Sequence, residues 1–311
     1  MSALDNGPRR MLHATRSNSN LRYVVTGATS NTGGRTVKLL ANQFGAANIT
    51  CVVRPSSDAS LLHALRVNVH AGDVSDPGSL RDALSPRVSY IDMTHPRFYP
   101  QSVDALLQSG VERAYFVTTT GMFSRYNQFA QMYRESETLI RTSGLTYTIL
   151  RPTMIYGTPG DKNMNRLVRF LSRSPIAPVV GAGRALMQPV YVDDLAAAIV
   201  AAIDEPRTEN EDYNLAGPTA LPFHQIVHTI AAQLGRRVRL VSVSGKQGAR
   251  IARWAGRLPG FPITEEQVLR LLEDKAFDIG KARKDLQYDP RSFAEGIAAE
   301  IASMRSAGLL S

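Results

Sequence analysis

The stretch Thr26-Gly27-Ala28-Thr29-Ser30-Asn31-Thr32-Gly33-Gly34 decides the fold of this chain. It follows an apolar run at 21–25, which predicts a β-strand, and it precedes a helical pattern of apolar residues over 37–44. Glycines let a backbone turn tightly and approach a pyrophosphate, and the N-terminus of the following helix offers free N–H groups to an anion. An ordinary glycine-rich turn is the alternative, but the position between a first strand and a helix favours a dinucleotide-binding loop.

Strand and helix patterns alternate through the first half of the chain. After 21–25, apolar runs predict strands at 49–53, 67–71, 88–93, 114–119 and 146–150. Helical patterns separate them; one begins at Asp76-Pro77 and runs to Leu84, and another ends at Gly110. This alternation predicts an α/β fold, a Rossmann-type doubly wound parallel sheet with crossover helices. Such sheets bind ligands beyond the carboxyl ends of their strands, so the residues just after each strand form the candidate site.

The residue after the second strand indicates which dinucleotide is bound. Sites selective for NAD usually carry an acidic residue there, which binds the ribose 2′-hydroxyl. Here the second strand ends at Arg54, and no acid follows until Asp58. A guanidinium suits a 2′-phosphate, and Arg35 and Ser56 are expected nearby. We therefore predict NADP(H) as the cofactor, with a solvated arginine as the alternative interpretation.

Three kinds of segment are predicted along the chain. The polar N-terminus lacks the apolar stretch of a secretory signal and is expected to be a disordered tail. After Pro152 the alternation loosens, although Val190–Val192 predicts one more strand, with Asp193-Asp194 capping a helix over 195–203. Capping boxes at Thr264–Gln267 and Ser292–Glu295 predict late helices. The predicted parts are a tail at 1–20, an NADP-binding core at 21–155 completed by about 186–204, and a smaller C-terminal substrate lobe at 156–185 and 205–311.

Composition and charge exclude several classes of partner. The 311 residues carry a formal net charge of +9, but outside the tail the arginines and lysines are dispersed, so we predict no nucleic-acid partner. No run of about 18 apolar residues occurs, so no membrane span is expected. The single cysteine, Cys51, rules out a disulfide within the chain and favours the cytoplasm. His224 and His228 lack a third ligand, so no metal is predicted.

The loop pattern Thr-Gly-Ala-Thr-x-x-x-Gly at 26–33 resembles the short-chain dehydrogenase/reductase superfamily, in its extended, epimerase/dehydratase-like and atypical branches. Similar stretches are Gly72–Val74, Leu150–Gly157, Val190–Leu195 and Tyr213–Gly217. The resemblance runs from about Leu21 to Ser303 and is closest to the atypical group of complex I accessory-subunit-like and NmrA-like proteins. Together with the residue patterns, it implies cofactor contacts at Gly27, Thr29, Ser30, Asn31, Thr32, Gly33, Arg54, Asp73, Val74, Thr94, Thr118, Pro152, Met154 and Ile155.

Two of these contacts have an open interpretation. Asp73 follows the third strand, where it would accept a hydrogen bond from the adenine amine, or would cap a turn instead. Ser30 replaces the usual middle glycine of the loop. Its side chain would narrow the approach to the pyrophosphate, or its hydroxyl would donate to it.

The catalytic pair of the superfamily is missing. Active members use Tyr-x-x-x-Lys, but the corresponding positions here hold Phe129 and Tyr133, and the motif occurs nowhere in the chain. A tyrosine with an ordinary pKa of about 10 is a poor base at neutral pH without a neighbouring cation. The remaining candidates are Thr119, Tyr133 and Tyr126, with Arg134 or Arg125 as the cation.

These candidates have structural interpretations too. The threonines at 118–120 fit simple strand propensity, and Tyr133 fits a core position on a helix face. Reduction does not require the lost pair, because the cofactor supplies the hydride and the proton can come from a hydroxyl or from water.

The sequence therefore predicts an NADP(H)-dependent oxidoreductase that reduces a small-molecule ketone or related carbonyl. One alternative is a non-enzymatic NADP(H)-binding sensor or assembly factor. A second is a nucleotide-sugar epimerase or dehydratase. Those enzymes often carry an arginine shortly before the Val190 stretch, where this chain has Met187, with Arg184 three residues earlier.

Overall fold

The computed structural model describes residues 22–161, 163–244 and 265–310. The predicted tail and Thr264 of one capping box lie outside these ranges. The strands are β1 Arg22–Thr26, β2 Ile49–Val53, β3 Asn68–Ala71, β4 Val88–Asp92, β5 Arg113–Val117, β6 Thr146–Pro152, β7 Ile155–Tyr156, β8 Ile176–Val180, β9 Leu186–Met187, β10 Val190–Tyr191, β11 Glu211–Leu215, β12 Leu221–Pro222 and β13 Arg239–Val243. The helices are α1 Asn31–Phe44, α2 Ser60–Ala64, α3 Pro77–Arg81, α4 Tyr99–Gln108, α5 Ala130–Thr142, α6 Met164–Arg173, α7 Val192–Ala202, α8 Phe223–Gln233, α9 Glu265–Arg270, α10 Gly280–Leu286 and α11 Phe293–Ser306.

Seven strands form one parallel sheet in the order β11-β6-β5-β4-β1-β2-β3. Tyr23 of β1 lies opposite Ile49 of β2 on one side and opposite Ser89 of β4 on the other. The chain winds outward from β1 to β3 and then returns to continue from β4 on the other side. This reversal opens a crevice above the carboxyl ends of β1 and β4. The predicted doubly wound Rossmann-type fold is confirmed.

Helices cover both faces of the sheet, so its central strands β1, β4 and β5 are largely buried. On one face, Val37 and Leu40 of α1 pack with Leu195 and Ile199 of α7. On the other face, Leu106 of α4 and further residues of α4 and α5 form the second core. All five residues of β4 are buried, as expected for a central strand. Each fully buried leucine stabilises the fold by about 1.5–3 kcal/mol relative to an exposed one.

The structure corrects the prediction around 190–203. The expected strand is only a two-residue parallel pairing of β10 with β7, and α7 already begins at Val192. Asp193 and Asp194 therefore lie in the first turn of α7 and do not cap it. Their carboxylates bind Arg35 and Arg291 instead. Acidic residues in a first turn still stabilise the helix through its dipole.

The C-terminal lobe packs around a third core, to which α6, α8 and α11 contribute Val168, Ile230 and Ile301. The predicted capping box at Ser292 and Glu295 starts α11. The predicted lobe range 205–311 also contains β11, yet this strand pairs with β6 and is the edge strand of the main sheet. Over the described ranges, the helices are too short or too polar for any of them to be a candidate membrane span.

Candidate cofactor and active site

The loop at 27–33 requires its glycines for steric reasons. Gly27 has a φ of +75°, and a Cβ there would lie 2.5 Å from the carbonyl oxygen of Met93. A Cβ on Gly33 would lie 2.1 Å from the carbonyl oxygen of Gly27. The N-terminus of α1 thus packs directly on the loop, and the loop packs on the segment that follows β4. This close packing is the cradle that a pyrophosphate needs.

Ser30 is the N-cap of α1, and its Oγ accepts a hydrogen bond of 2.9 Å from the backbone N–H of Gly33. The first turn of α1 contains no acidic residue, so the positive end of the helix dipole is not neutralised. Ser30 therefore replaces the middle glycine without blocking the loop, because its side chain is used to start the helix. Its hydroxyl proton is still available to an anion.

A cavity of about 250 Å³ adjoins this helix end. It is lined by Ser30, Asn31, Thr32, Ile155, Tyr156, Thr158, Asp161 and Val192. The Asn31 side-chain amide donates to the Thr158 hydroxyl at 3.1 Å and joins the two walls. The predicted residues Asn31, Thr32 and Ile155 are thus brought together. Sequence reasoning missed Thr158 and Asp161, although they follow closely after the Leu150–Gly157 stretch.

The predicted residues after β2 and β3 lie on neighbouring strands. Arg54 is exposed, and the adjoining turns are joined where Gly72 N–H donates to the Val53 carbonyl at 3.0 Å. Asp73 accepts from the backbone N–H and hydroxyl of Ser75, at 2.9 and 2.8 Å. These bonds, with a smaller contribution from Arg54, lower the pKa of Asp73 below its ordinary value. Asp73 therefore caps a turn.

Two other predicted residues of this region are Arg35, which has an unexpected partner, and Val74, which is buried. Arg35, expected near Arg54, binds Asp193 at 2.5 Å across the contact between α1 and α7. Val74 is 9% exposed and is counted with the core residues. The basic group left at this edge is Arg54.

A buried carboxylate fixes the floor of the crevice. Asp92 ends β4, is fully buried, and accepts hydrogen bonds from the hydroxyls of Thr26, Tyr90, Thr94 and Ser102 and from the backbone N–H of Thr94. Hydrogen bonds of this number compensate the burial of a charge. They hold Thr94, a predicted cofactor contact, directly above the end of β4.

The threonines that follow β5 are used differently. The Thr118 hydroxyl donates to Glu137 at 2.8 Å, so it is directed into the protein. Glu137 and Arg151 form a buried ion pair, with Nε and Nη2 of Arg151 between 2.6 and 3.1 Å from the two carboxylate oxygens. Thr119 accepts the backbone N–H of Gly121 at 3.0 Å and is half-buried. Its hydroxyl proton remains available to a ligand.

Tyr133 projects from α5 and meets a residue that sequence reasoning missed. Its hydroxyl lies 3.5 Å from Nε2 of His95, and the two ring centroids are 5.8 Å apart. Phe129 completes the group, with its centroid 6.4 Å from both rings. His95 comes directly after Thr94, shortly past the end of β4. This position is the one signal in the sequence that relates it to the crevice. Tyr133 is thus half-buried at the site edge and does not belong to the core.

The other predicted catalytic groups lie apart from this cluster. Tyr126 is 43% exposed, and within the described ranges no hydrogen-bond partner of its hydroxyl is found. Arg134 donates to the Met122 carbonyl and to Gln131, so its charge is not directed at Tyr133. Arg125 is exposed. Burial raises the pKa of Tyr133, and the positive charge of Arg270 on α9 opposes this rise.

His224 and His228 lie on α8 with ring centroids 6.5 Å apart, and His224 Nδ1 contacts the Gly183 carbonyl. Among the described residues, no group of three metal-ligating side chains is found. Cys51 is buried in β2, and burial raises the pKa of its thiol to about 12, so it is not a nucleophile at neutral pH.

Comparison with known proteins agrees with this geometry. Residues 27–206 match the sequence profile of the NAD(P)H-binding family. The chain is 26% identical to an NAD(P)H azoreductase from Xenophilus azovorans over 235 residues, 72% of this chain and 78% of that protein. It is 32% identical to NADH dehydrogenase (ubiquinone) 1 alpha subcomplex subunit 9, mitochondrial, from Arabidopsis thaliana over 128 residues, 40% of this chain and 32% of that one.

Among solved structures, the NADPH complex of a quinone oxidoreductase from Escherichia coli superposes with a TM-score of 0.71 at 21% identity. The match covers 89% of this chain and 98% of that one. Resemblance to the short-chain dehydrogenase/reductase superfamily and the prediction of a nicotinamide dinucleotide are thereby confirmed. The profile match over residues 27–206 agrees with the glycine cradle and the free helix N-terminus. The chain belongs to the NAD(P)H-binding family.

Proposed function

We propose that this protein is an NADPH-dependent reductase of a small apolar carbonyl compound, with Tyr133 as the proton donor. One observation carries the proposal: a protic side chain and the dinucleotide cradle share one edge of the sheet. Tyr133 contacts His95, which is two residues from Met93, and the Met93 carbonyl packs on Gly27 of the cradle. When bound, the cofactor would supply a hydride.

The residues of the chain would bind the cofactor, orient the acceptor and supply the proton. The N-terminus of α1 with Ser30 would hold the pyrophosphate, and Arg54 would hold the 2′-phosphate. Thr119 would donate a hydrogen bond to the acceptor oxygen, and Tyr133 would give that oxygen its proton. The phenol carries its proton at neutral pH, since burial raises its pKa above the ordinary value. A hydrogen bond that stabilises the phenolate would have to offset the weaker acidity.

Exposed aromatic side chains on the segment between β5 and α5 indicate the kind of acceptor. Phe123, Tyr126 and Phe129 are each more than 40% exposed, and they follow β5 on one connecting segment. The ring of Phe123 also contacts Phe277, with centroids 5.8 Å apart. Exposed aromatic side chains beside a polar site favour a flat, apolar compound. The names of two similar proteins, an azoreductase and a quinone oxidoreductase, point to acceptors of that shape.

The test is NADPH oxidation by the purified chain with an aromatic ketone, an aliphatic ketone, a quinone and an azo dye, followed by identification of the products. We expect one NADPH consumed for each ketone or quinone reduced, and two for each azo bond cleaved to amines. Tyr133→Phe should lower kcat by about 10²-fold, in the range for loss of a general acid. NADPH binding without turnover of any acceptor would contradict the proposal.

The missing Tyr-x-x-x-Lys pair favours a second candidate function, a cofactor-binding sensor or assembly factor. The same assay separates the two. A sensor would bind NADPH with no loss of the reduced cofactor. An epimerase would change its substrate while total NADPH stays constant.

A further inference from the structure

His95 occupies a place at the site that neither the family resemblance nor the proposed function assigns. It lies on the 3-10 turn after β4, and Tyr133 stands on α5 where related enzymes carry lysine. We infer that His95 is a positioning residue that takes over the part of this lysine, by directing and stabilising the Tyr133 hydroxyl. The inference rests on the proposed reductase function.

The hydrogen bonds of His95 determine which nitrogen carries the proton. The backbone N–H of Arg97 donates to Nδ1 at 3.3 Å, so Nδ1 presents its lone pair. A neutral imidazole then carries its hydrogen on Nε2, the atom that faces the Tyr133 hydroxyl at 3.5 Å. Nε2–H donates to the phenol oxygen, and the phenol proton is left to point at the acceptor. The distance is at the long end for a hydrogen bond, as is common before a substrate closes the site.

A second set of bonds fixes the two residues relative to each other. The carbonyl of Pro96, next to His95, accepts the hydroxyl of Ser136 at 3.1 Å. Ser136 lies on α5 one turn after Tyr133, so the turn and the helix are tied together beside the pair. Phe129 packs edge-on against the His95 ring, with the two planes at 85°. The imidazole is therefore oriented before any ligand arrives.

The surrounding charges keep both partners in the required state. Burial and the positive charge of Arg97 lower the pKa of His95, so the ring is neutral at pH 7. Burial raises the pKa of Tyr133, with Arg270 opposing and Glu266 adding to the rise. A neutral donor beside a protonated phenol is the arrangement that the inference needs.

The proton balance is simple. The acceptor carbon would take hydride from NADPH, and the π electron pair of its C=O bond would pass to the oxygen. The phenol O–H bond then breaks and a new O–H bond forms on that oxygen. The phenolate that remains is stabilised by the His95 Nε2–H bond, which is stronger to a charged than to a neutral oxygen. Tyr133 is half-buried, so water can return the proton to it.

The experiment compares His95→Leu, which cannot donate, with His95→Gln, which keeps a neutral N–H donor. Tyrosine labelled with ¹³C at Cζ reports the titration of Tyr133, and Tyr133→Phe assigns its signal. In His95→Leu we expect Tyr133 to titrate about one pH unit higher and kcat to fall about tenfold, with the Kd of NADPH unchanged. His95→Gln should stay close to the wild type in all three measurements.

His228→Gln, an exposed histidine on α8, controls for loss of a histidine elsewhere. Turnover by the wild type with unchanged titration and kcat in His95→Leu would overturn the role of His95 and leave the reductase proposal intact. Failure of the wild type to reduce any acceptor would overturn both. A loss of kcat without a shift of the Tyr133 titration would show a structural role only and would contradict the inference.

Discussion

Arg54 is the residue on which the choice between the two nicotinamide dinucleotides depends. It is exposed at the end of β2, while the nearest acidic group, Asp73, already accepts two hydrogen bonds from Ser75. Asp73 follows β3, one strand away from the end of β2 where NAD-selective sites carry the ribose-binding acid. A phosphate would instead find a free guanidinium there.

Arg54→Ala should therefore weaken NADPH binding about 10- to 100-fold and leave NADH binding within about twofold, as expected for loss of one charge-assisted contact to phosphate. Titration calorimetry with both cofactors measures this. Arg87→Ala is the control. Arg87 is an exposed arginine directly before β4, so this variant makes the same charge change at the amino ends of the strands, away from the cofactor site. Equal losses for NADPH and NADH would contradict the assignment of Arg54.

At this scale the sequence predicted some residues well and others not at all. Gly27 and Gly33 were identifiable because their chemistry is local: a tight turn and a helix start lie within a few residues. His95 was not identifiable, because its meaning comes from contact with Tyr133, 38 residues later. The partner of Arg35 was missed for the same reason, since Asp193 lies 158 residues away.

The element that matters most to the site is α1, together with the loop that precedes it. Gly33 and Gly34 are adjacent in its first turn, yet their surroundings differ. A Cβ on Gly33 would meet backbone, the Gly27 carbonyl oxygen at 2.1 Å. A Cβ on Gly34 would meet only the end of the Leu61 side chain at 2.7 Å, and Leu61 is 53% exposed and can move.

Gly33→Ala should lower the free energy of unfolding by roughly 1–3 kcal/mol, the usual cost of overpacking, and should weaken NADPH binding because α1 must shift. Gly34→Ala should change the stability by less than about 1 kcal/mol, in either direction, since alanine also favours the helix. Urea denaturation of both variants provides the measurement. A Gly33→Ala protein as stable as Gly34→Ala would show that the close packing of loop and helix is not required.

Element boundaries followed from the sequence where local signals were strong. The run 49–53 was predicted as β2 without error, because an arginine and a proline follow it. Helix α3 ends at Arg81 and not at Leu84, because Ala83 and Leu84 bond to residues three positions back, in a tighter turn before Pro86. The short pairing of β10 with β7 was overestimated, since the apolar run there continues into a helix.

In the whole molecule, a buried carboxyl links the C-terminal helix to the cofactor cleft. Glu300 of α11 is fully buried and accepts the backbone N–H of Gly157 at 3.1 Å. It also interacts with Asp161, which lines the cavity beside α1. Burial, and then Asp161, raise the pKa of Glu300 to about 9, so it is protonated at neutral pH.

This raised pKa predicts how stability depends on pH. The folded protein keeps a proton that the unfolded chain releases, so stability falls as pH rises from about 4.5 to about 9. The contribution of Glu300 to this fall should be roughly 1–3 kcal/mol between pH 6 and pH 8. Glu300→Gln is neutral at every pH and should lose this part of the dependence, as measured by urea denaturation at the two pH values.

Glu295→Gln is the matched control on the same helix. The capping bonds from Ser292 lower the pKa of Glu295, so its titration lies below this pH window. The control should lose stability equally at pH 6 and pH 8 and keep the wild-type slope. A Glu300→Gln protein with that same slope would contradict the protonated state of Glu300.

The fold class followed from the alternation of strands and helices, but the assembly of the site did not. No local pattern shows that β11 would join the main sheet beside β6, or that α11 would reach Asp161. Such contacts depend on the three-dimensional path of the chain. The contact between α11 and Asp161 supports one wall of the cavity.

The hydrogen bond between Asn31 and Thr158 has a consequence for the chain while it is being synthesised. Its two ends are 127 residues apart, so the ribosome makes one wall of the cavity long before the other. A nascent chain that ends before Thr158 has the glycine cradle but lacks the opposite wall of the cavity. The cofactor would therefore bind with full affinity only when this wall has been synthesised. Cellular NADPH would then select completed molecules and protect them from proteases, because a ligand that binds the native state alone lowers the unfolded fraction.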